Sequence, residues 1–285
     1  MLLQTMVKRQ HSGGSQIARA GFVVVLIGIL IYGFRNWAPY RQNPDDLLLP
    51  TTKRGKIVKH HYYTLSYSED DELAEWVTYR LTVERLKRRH AKRTNWFEED
   101  PYVSTGSAAY ADYKGSGYDK GHLVPAADMA FDKTAMEETF FMSNISPQVH
   151  NFNGGIWREL EELTRDWAKM NKELYIVTGP VFKDNKGTIG RKSKVTVPGY
   201  FYKVILDLEG PEKKAIGFVI PNEVSTRPLS DYVRTVDAVE ALTGIDFFPT
   251  LDDALEDSLE SHVNNRQWPL KNSLYRTRIQ QWNLR

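Results

Sequence analysis

GSGYDKGHLVPAADM, running from Gly115 to Met129, sets an acid, a base, a glycine and a histidine side by side ahead of a Leu-Val-Pro run. A turn needs Gly121 but not Asp119, Lys120 and His122 around it. A histidine-based metal site wants a second imidazole close by, and the next histidine along the chain is His150. The crowding fits chemistry on a phosphate. A neutral imidazole takes a proton near pH 7, which suits His122 to general-base work. Gly121 lets the backbone approach something closely. Lys120 puts a cation beside the histidine, where it would hold a phosphate and favour the neutral base. Asp119 reads equally well as a plain turn residue or as an active one.

A base alone does not cleave a phosphodiester. Charge accumulates on the phosphoryl oxygens and the leaving 3′ oxygen, and a divalent metal, a nearby cation or both must offset it. Mg²⁺ takes oxygen ligands and keeps several waters, so one or two protein ligands suffice. The candidate segment is NFNGGIWRELEEL, Asn151 to Leu163. Asn153 stands where a helix begins, and asparagine there is also a good N-cap. Glu161 lies eight residues on, rotated by about 80° around an ideal helix, so the two share one broad side. Local rules do not separate Glu161 from Glu159 or Glu162.

Around these motifs the chain alternates strand-like and helical runs. IVKHHYYTLSYS reads as strand, and a second strand is expected around Ala74–Leu81. Asn95 to Gly117 is rich in turn residues. DKTAMEETFFMSNISPQ suggests a short helix, a brief apolar strand and a turn. Ile156, Leu160, Leu163 and Trp167 recur at helical spacing. LYIVTGPVF, VTVPGYFYKVILDL and KAIGFVIPN read as strands, LSDYVRTVDAVEALTG as an amphipathic helix stopped by Gly244, and LDDALEDSLESHV as an acidic helix. With no regular βαβ alternation, this is an α+β chain with a largely antiparallel sheet.

The 285 residues are enough for a sizeable core. A net charge of +2 gives no bulk argument for a nucleic-acid partner, so any basic groove is local. The absence of cysteine excludes disulfides, thiolate metal sites and cysteine nucleophiles. Near the N-terminus, Arg19 and Arg35 bracket AGFVVVLIGILIYGF, fifteen uncharged residues behind Lys8 and Arg9. That is the layout of a signal sequence or short membrane anchor. An uncleaved anchor is the expectation, with the rest of the chain outside the cytoplasm. The expected organisation is a polar tail over 1–16, an anchor over 17–35, a linker over 36–56, a catalytic domain over 57–251 and a helical extension over 252–285.

YDKGHLVPAADM, TFFMSNISPQ and NGGIWRELE, in that order, resemble the signature of the DNA/RNA non-specific endonucleases, from about Ile57 to about Leu251. The resemblance implies a ββα-metal (His-Me finger) nuclease, in which a two-stranded hairpin presenting the histidine is crossed by the helix presenting the metal ligand. It implies His122 as general base, Asn153 as ligand of a single Mg²⁺ (Mn²⁺ being the alternative ion), and Glu161 as the glutamate supporting the metal's waters. It places Asn144 in the catalytic set, shaping the site around the histidine. Arg93 becomes the second phosphate-binding cation beside Lys120, with Lys92 still open. The family's usual arginine is Lys120 here, a point charge in place of a planar fork. DNA and RNA are the implied substrates, 5′-phosphates the products, and a homodimer a partner option. A nucleic-acid-binding module with lost catalysis and a phosphodiesterase for small nucleotides are the rival readings. A bacterial envelope is the expected address, with secretion or mitochondria as alternatives.

Overall fold

The computed structural model describes residues 48–284 except Arg89. The tail and anchor expected over 1–16 and 17–35, and most of the expected linker, lie outside the described residues. Among the described residues no helix is long and apolar enough to cross a membrane.

Among the described residues there are eleven strands: β1 Lys56–Lys59, β2 Thr64–Ser68, β3 Leu73–Thr82, β4 Asp119–His122, β5 Ile145–Gln148, β6 Glu173–Val181, β7 Thr188–Ile189, β8 Val195–Thr196, β9 Tyr200–Asp207, β10 Lys214–Pro221 and β11 Val233–Arg234. The α-helices among the described residues are α1 Val83–Lys87, α2 Tyr110–Tyr113, α3 Lys133–Glu138, α4 Arg158–Asn171, α5 Val236–Thr243, α6 Asp253–Glu260 and α7 Asn272–Thr277. Seven strands form one sheet in the order β1-β2-β3-β6-β9-β10-β11, with every neighbouring pair antiparallel. The α+β expectation with a central antiparallel sheet is therefore met.

The long strands are apolar on both sides because both faces are covered. On β9, Phe201 and Ile205 point into one core while Tyr202, Val204 and Leu206 point into the other. The first core takes α4 through Leu160, Leu163 and Trp167, preceded by Phe152, Ile156 and Trp157. That is the helical spacing read from the sequence, and each fully buried large apolar side chain contributes on the order of 1.5–3 kcal/mol. The second core takes Val236 and Val239 of α5 and Leu259 of α6. Gly244 caps α5 at φ 74°, as expected of a left-handed terminator. The helix expected from Leu229 starts later, at Val236, because Val233–Arg234 extend the sheet and the Thr235 side chain caps the first turn.

Described residues on both sides of 57–251 pack onto the same cores. Leu48 is buried, Trp76 Nε1 donates to the Thr51 carbonyl, and the Glu75 carboxylate accepts the backbone N–H groups of Lys53, Arg54 and Gly55. Past α6, Trp268 packs edge-on against Trp167 at 5.0 Å, and Arg278 is buried.

Candidate active site

β4 pairs antiparallel with β5, joining Asp119 to Gln148 and His122 to Ile145. The strand ends at His122, as expected. The connection is not a tight hairpin, however. Residues 123–144 carry α3 and a single 3₁₀ turn, Met142–Asn144, before the chain returns. Asn144 closes that excursion. Its Oδ1 accepts from Val124 N at 2.9 Å, and its Nδ2 donates to the carbonyls of Val124 and Thr139. The amide is fully buried and wholly engaged with backbone. Its amide is spent on holding the chain that follows His122.

His122 is 9 % exposed and wedged against Phe140, edge-on at 4.8 Å, and Phe97, at 5.8 Å. Its Nε2 is enclosed without a hydrogen-bond partner, which leaves Nδ1 as the nitrogen open to solvent. Burial, reinforced by the Arg93 guanidinium, pushes the imidazole down to about 3. The ring is thus uncharged, and available as a base, at neutral pH. Arg93 stacks over Phe140 at 5.1 Å, and burial lowers its pKa. Lys120 Nζ lies 4.7 Å from the Tyr110 ring centre and 5.3 Å from that of Phe97. Both cations thus rest on the aromatic frame that holds the histidine. The lysine's point charge is better fixed than a free side chain would be.

Gly121 is explained differently from the close approach of a ligand. A Cβ there would stand 2.1 Å from Gln148 Cδ and 2.5 Å from its Cγ, so the glycine makes room for its cross-strand diagonal neighbour. Asp119 is not a turn residue but the first of β4. Its Oδ2 accepts from Asn153 Nδ2 at 2.9 Å and lies 2.9 Å from His150 Nδ1.

Asn153 is likewise not an N-cap. It sits inside a π-turn, Phe152–Trp157, that precedes α4. Gly155 breaks this turn with φ −106° and ψ −109°, so helical counting from Asn153 to Glu161 crosses a kink and the 80° relation does not hold. The hydrogen bond to Asp119 spends the Nδ2 end of the amide and turns Oδ1 outward. A hard oxygen donor is thus presented by a side chain already fixed at its other end.

The three glutamates that the sequence left equivalent are separated by their partners. Glu159 is buried against Arg278, and Glu162 pairs with Arg158 four residues back at 2.9 Å. Glu161 is half-buried and has neither a hydrogen bond nor an ion pair among the described residues. Burial raises its pKa, while Arg165, Lys203 and Arg93 oppose that rise. An outward amide oxygen and a free carboxylate are the donor set that a hard divalent cation takes while keeping most of its water.

The sequence of the site lies within a wider match. The DNA/RNA non-specific endonuclease family model covers residues 47–254. This chain belongs to that family.

Among curated relatives, Nuclease C1 of Cunninghamella echinulata var. echinulata is 38 % identical over 71 % of this chain and 86 % of its own. Endonuclease G, mitochondrial, of Homo sapiens is 33 % identical over 66 % of this chain and 68 % of its own. The mitochondrial nuclease of Saccharomyces cerevisiae is 34 % identical over 92 % of this chain and 82 % of its own. A solved crystal structure of an EndoG/EndoGI complex, described by its mechanism of EndoG inhibition, matches with a TM-score of 0.65 at 30 % identity, over 71 % of this chain and 89 % of that one. Membership makes this chain a nuclease, a hydrolase acting on nucleic acid.

Around the endonuclease site stand residues that sequence reading passed over. Arg165 pairs with Asp128 at 2.9 Å, and Tyr79 donates to the same carboxylate at 2.8 Å. Lys203, 1 % exposed, aims Nζ at the Trp157 ring, 4.9 Å from its centre, with no hydrogen-bond partner. Two signals were available. Arg165 is four residues past Glu161, one turn along the same helix face. Lys203 occupies an inward position between Phe201 and Ile205, where an apolar residue is the rule.

Proposed function

We propose that this chain is a metal-dependent endonuclease that hydrolyses DNA and RNA with little sequence preference and leaves 5′-phosphates. The observation that carries the reading is the Asp119–Asn153 hydrogen bond. It ties the strand bearing His122 to the turn bearing the outward amide oxygen, so base and metal ligand are held by one contact.

In this reading His122 Nδ1 takes a proton from a water as its oxygen bonds to phosphorus. The bond from phosphorus to the 3′ oxygen breaks, and that oxygen leaves as a hydroxyl after protonation by solvent. Arg93 and Lys120 hold the non-bridging oxygens, and the phenyl faces beneath them keep their charges near the base. Asn144 acts as a positioning residue, fixing the chain that follows His122. Asn153 Oδ1 would hold a Mg²⁺ ion, or Mn²⁺ in its place, with Glu161 supporting its waters, and the ion would supply positive charge against the charge that develops on the phosphoryl oxygens. None of these groups requires a 2′-hydroxyl, so both nucleic acids are substrates. Contacts are to the backbone, so binding weakens with salt. The yeast relative matches over 92 % of the chain, which supports the mitochondrial address over the bacterial envelope.

The test is cleavage of supercoiled plasmid and of single-stranded RNA, with Mg²⁺ and with EDTA, beside His122→Ala and Asn153→Ala. Both substrates are cut only with Mg²⁺, and each variant loses at least about 100-fold in rate while its fold is kept. Turnover surviving in His122→Ala removes the base assignment. Wild-type protein that binds both substrates and cuts neither belongs to the binding-module reading.

A further inference from the structure

On the sheet face opposite α4, helices α5 and α6 bring carboxylates together. One oxygen each of Asp237, Glu240 and Glu260 lies within 4.8 Å of the other two. Asp246 and Glu256 are their next electrostatic neighbours, again acids. Among the described residues no lysine, arginine or histidine forms an ion pair with any of the five. The three are graded in exposure, from exposed Asp237 through half-buried Glu240 to Glu260, which is only 6 % exposed. Glu260 Oε1 is enclosed without a hydrogen-bond partner, and so is Asp246 Oδ1. An enclosed carboxylate oxygen with no donor, facing further carboxylates, is costly unless a proton or a cation joins it.

Three carboxylate oxygens within 4.8 Å of one another can share one divalent ion. With only three oxygens supplied and an open side left for water, the set matches Ca²⁺, which tolerates irregular, high coordination, better than Mg²⁺, which demands near-ideal octahedral geometry. We propose that Asp237, Glu240 and Glu260 bind a Ca²⁺ ion that clamps α5 to α6. The ion is distinct from the catalytic one, since it lies on the other face of the sheet. Glu260 also falls beyond the family match at 254, so membership does not imply this site.

The experiment uses the full chain carrying Asn153→Ala, which removes the proposed catalytic ion, after dialysis against EDTA. Calcium is titrated by calorimetry, and the unfolding midpoint is followed in parallel. One Ca²⁺ binds per chain with a Kd on the order of 0.1 mM. At ten times that concentration Tm rises by about 3–6 °C, and Mg²⁺ gives less. Adding Glu260→Gln or Asp237→Asn abolishes the rise. Both leave the ion-free Tm unchanged or higher, because a like charge is removed. No calcium-dependent rise, or one that survives both substitutions, overturns the proposal. An equal response to Mg²⁺ overturns the choice of ion.

Discussion

Asp119 decides which atom Asn153 shows to solvent. An asparagine amide rotated by half a turn would present an NH₂, which repels a cation. Accepting from Nδ2 at 2.9 Å makes that orientation unfavourable. Asp119→Ala therefore lowers metal affinity or cleavage by about 10–100-fold, the usual cost of losing a ligand's outer partner. Asp119→Asn recovers most of it, since its own Oδ1 can accept the same bond. Equal activity in the wild type and the alanine variant, measured across a Mg²⁺ titration, would sink this account. His122 carries a second consequence. Its imidazole protonates near pH 6.5 in the unfolded chain, but burial beside Arg93 holds it at about 3 in the fold. Between these values the unfolded chain binds a proton that the native protein refuses. Stability is full above about pH 6.5 and falls as the pH drops toward 3. His122→Ala, which has no such proton, loses less stability between pH 7 and pH 4.5 than the wild type does. Parallel urea-denaturation curves at the two pH values would show otherwise.

At the scale of elements, the pairing of β4 with β5 depends on an empty place. Gly121→Ala puts a methyl into the buried Gln148 side chain, so the variant is destabilised by about 1–3 kcal/mol, the cost of overpacking. Gln148→Ala in the same chain returns part of that loss, and a double-mutant cycle in urea measures the coupling. Additive effects would mean the two side chains do not share the space. This pair also marks where the sequence was hard to read. SNISPQ carries Ser, Asn and Pro, and local rules make it a turn. It becomes strand because a two-stranded pair has a free outer edge that tolerates Pro147, which lacks an N–H. The reverse holds for α4, whose Ile156, Leu160, Leu163 and Trp167 show a period that no other element could satisfy. His122 and Asn153 were legible because three ordered motifs resemble a known family. Glu161 was singled out by the same resemblance, but the physical difference between it and its two neighbours was not legible. It depends on Arg278, more than a hundred residues away, and on Arg158, a partner no different in kind from other nearby basic residues.

Across the whole molecule, the C-terminal stretch is part of the machinery that holds the site. Read from the sequence, it was a helical extension over 252–285 with no part assigned in the site. Folded, it returns to the helix that carries Glu161. Trp167 Nε1 donates to the Pro269 carbonyl at 3.0 Å, Arg158 stacks on Trp282 at 4.1 Å, and Asn151 Nδ2 reaches the Asn283 carbonyl at 3.2 Å. A Cβ on Gly155 would lie 2.7 Å from Asn283 Oδ1, so the kink beside Asn153 is shaped against the chain terminus. Arg278 is the anchor. Fully buried, it donates to Glu159 and to the carbonyls of Ser225 and Arg227. Removing one partner of a buried ion pair strands the other charge, so Arg278→Ala costs about 3–5 kcal/mol. Glu159→Gln in the same chain restores part of it, because the stranded charge goes too. Cleavage falls in Arg278→Ala even at temperatures where the sheet remains folded, as α4 loses its brace and Asn153 its fixed turn. Hydrogen exchange resolves the two levels: protection drops first over 151–162 and later over β6 and β9. Uniform loss of protection across the chain would mean that Arg278 serves global stability alone, and that the site takes nothing particular from the terminus.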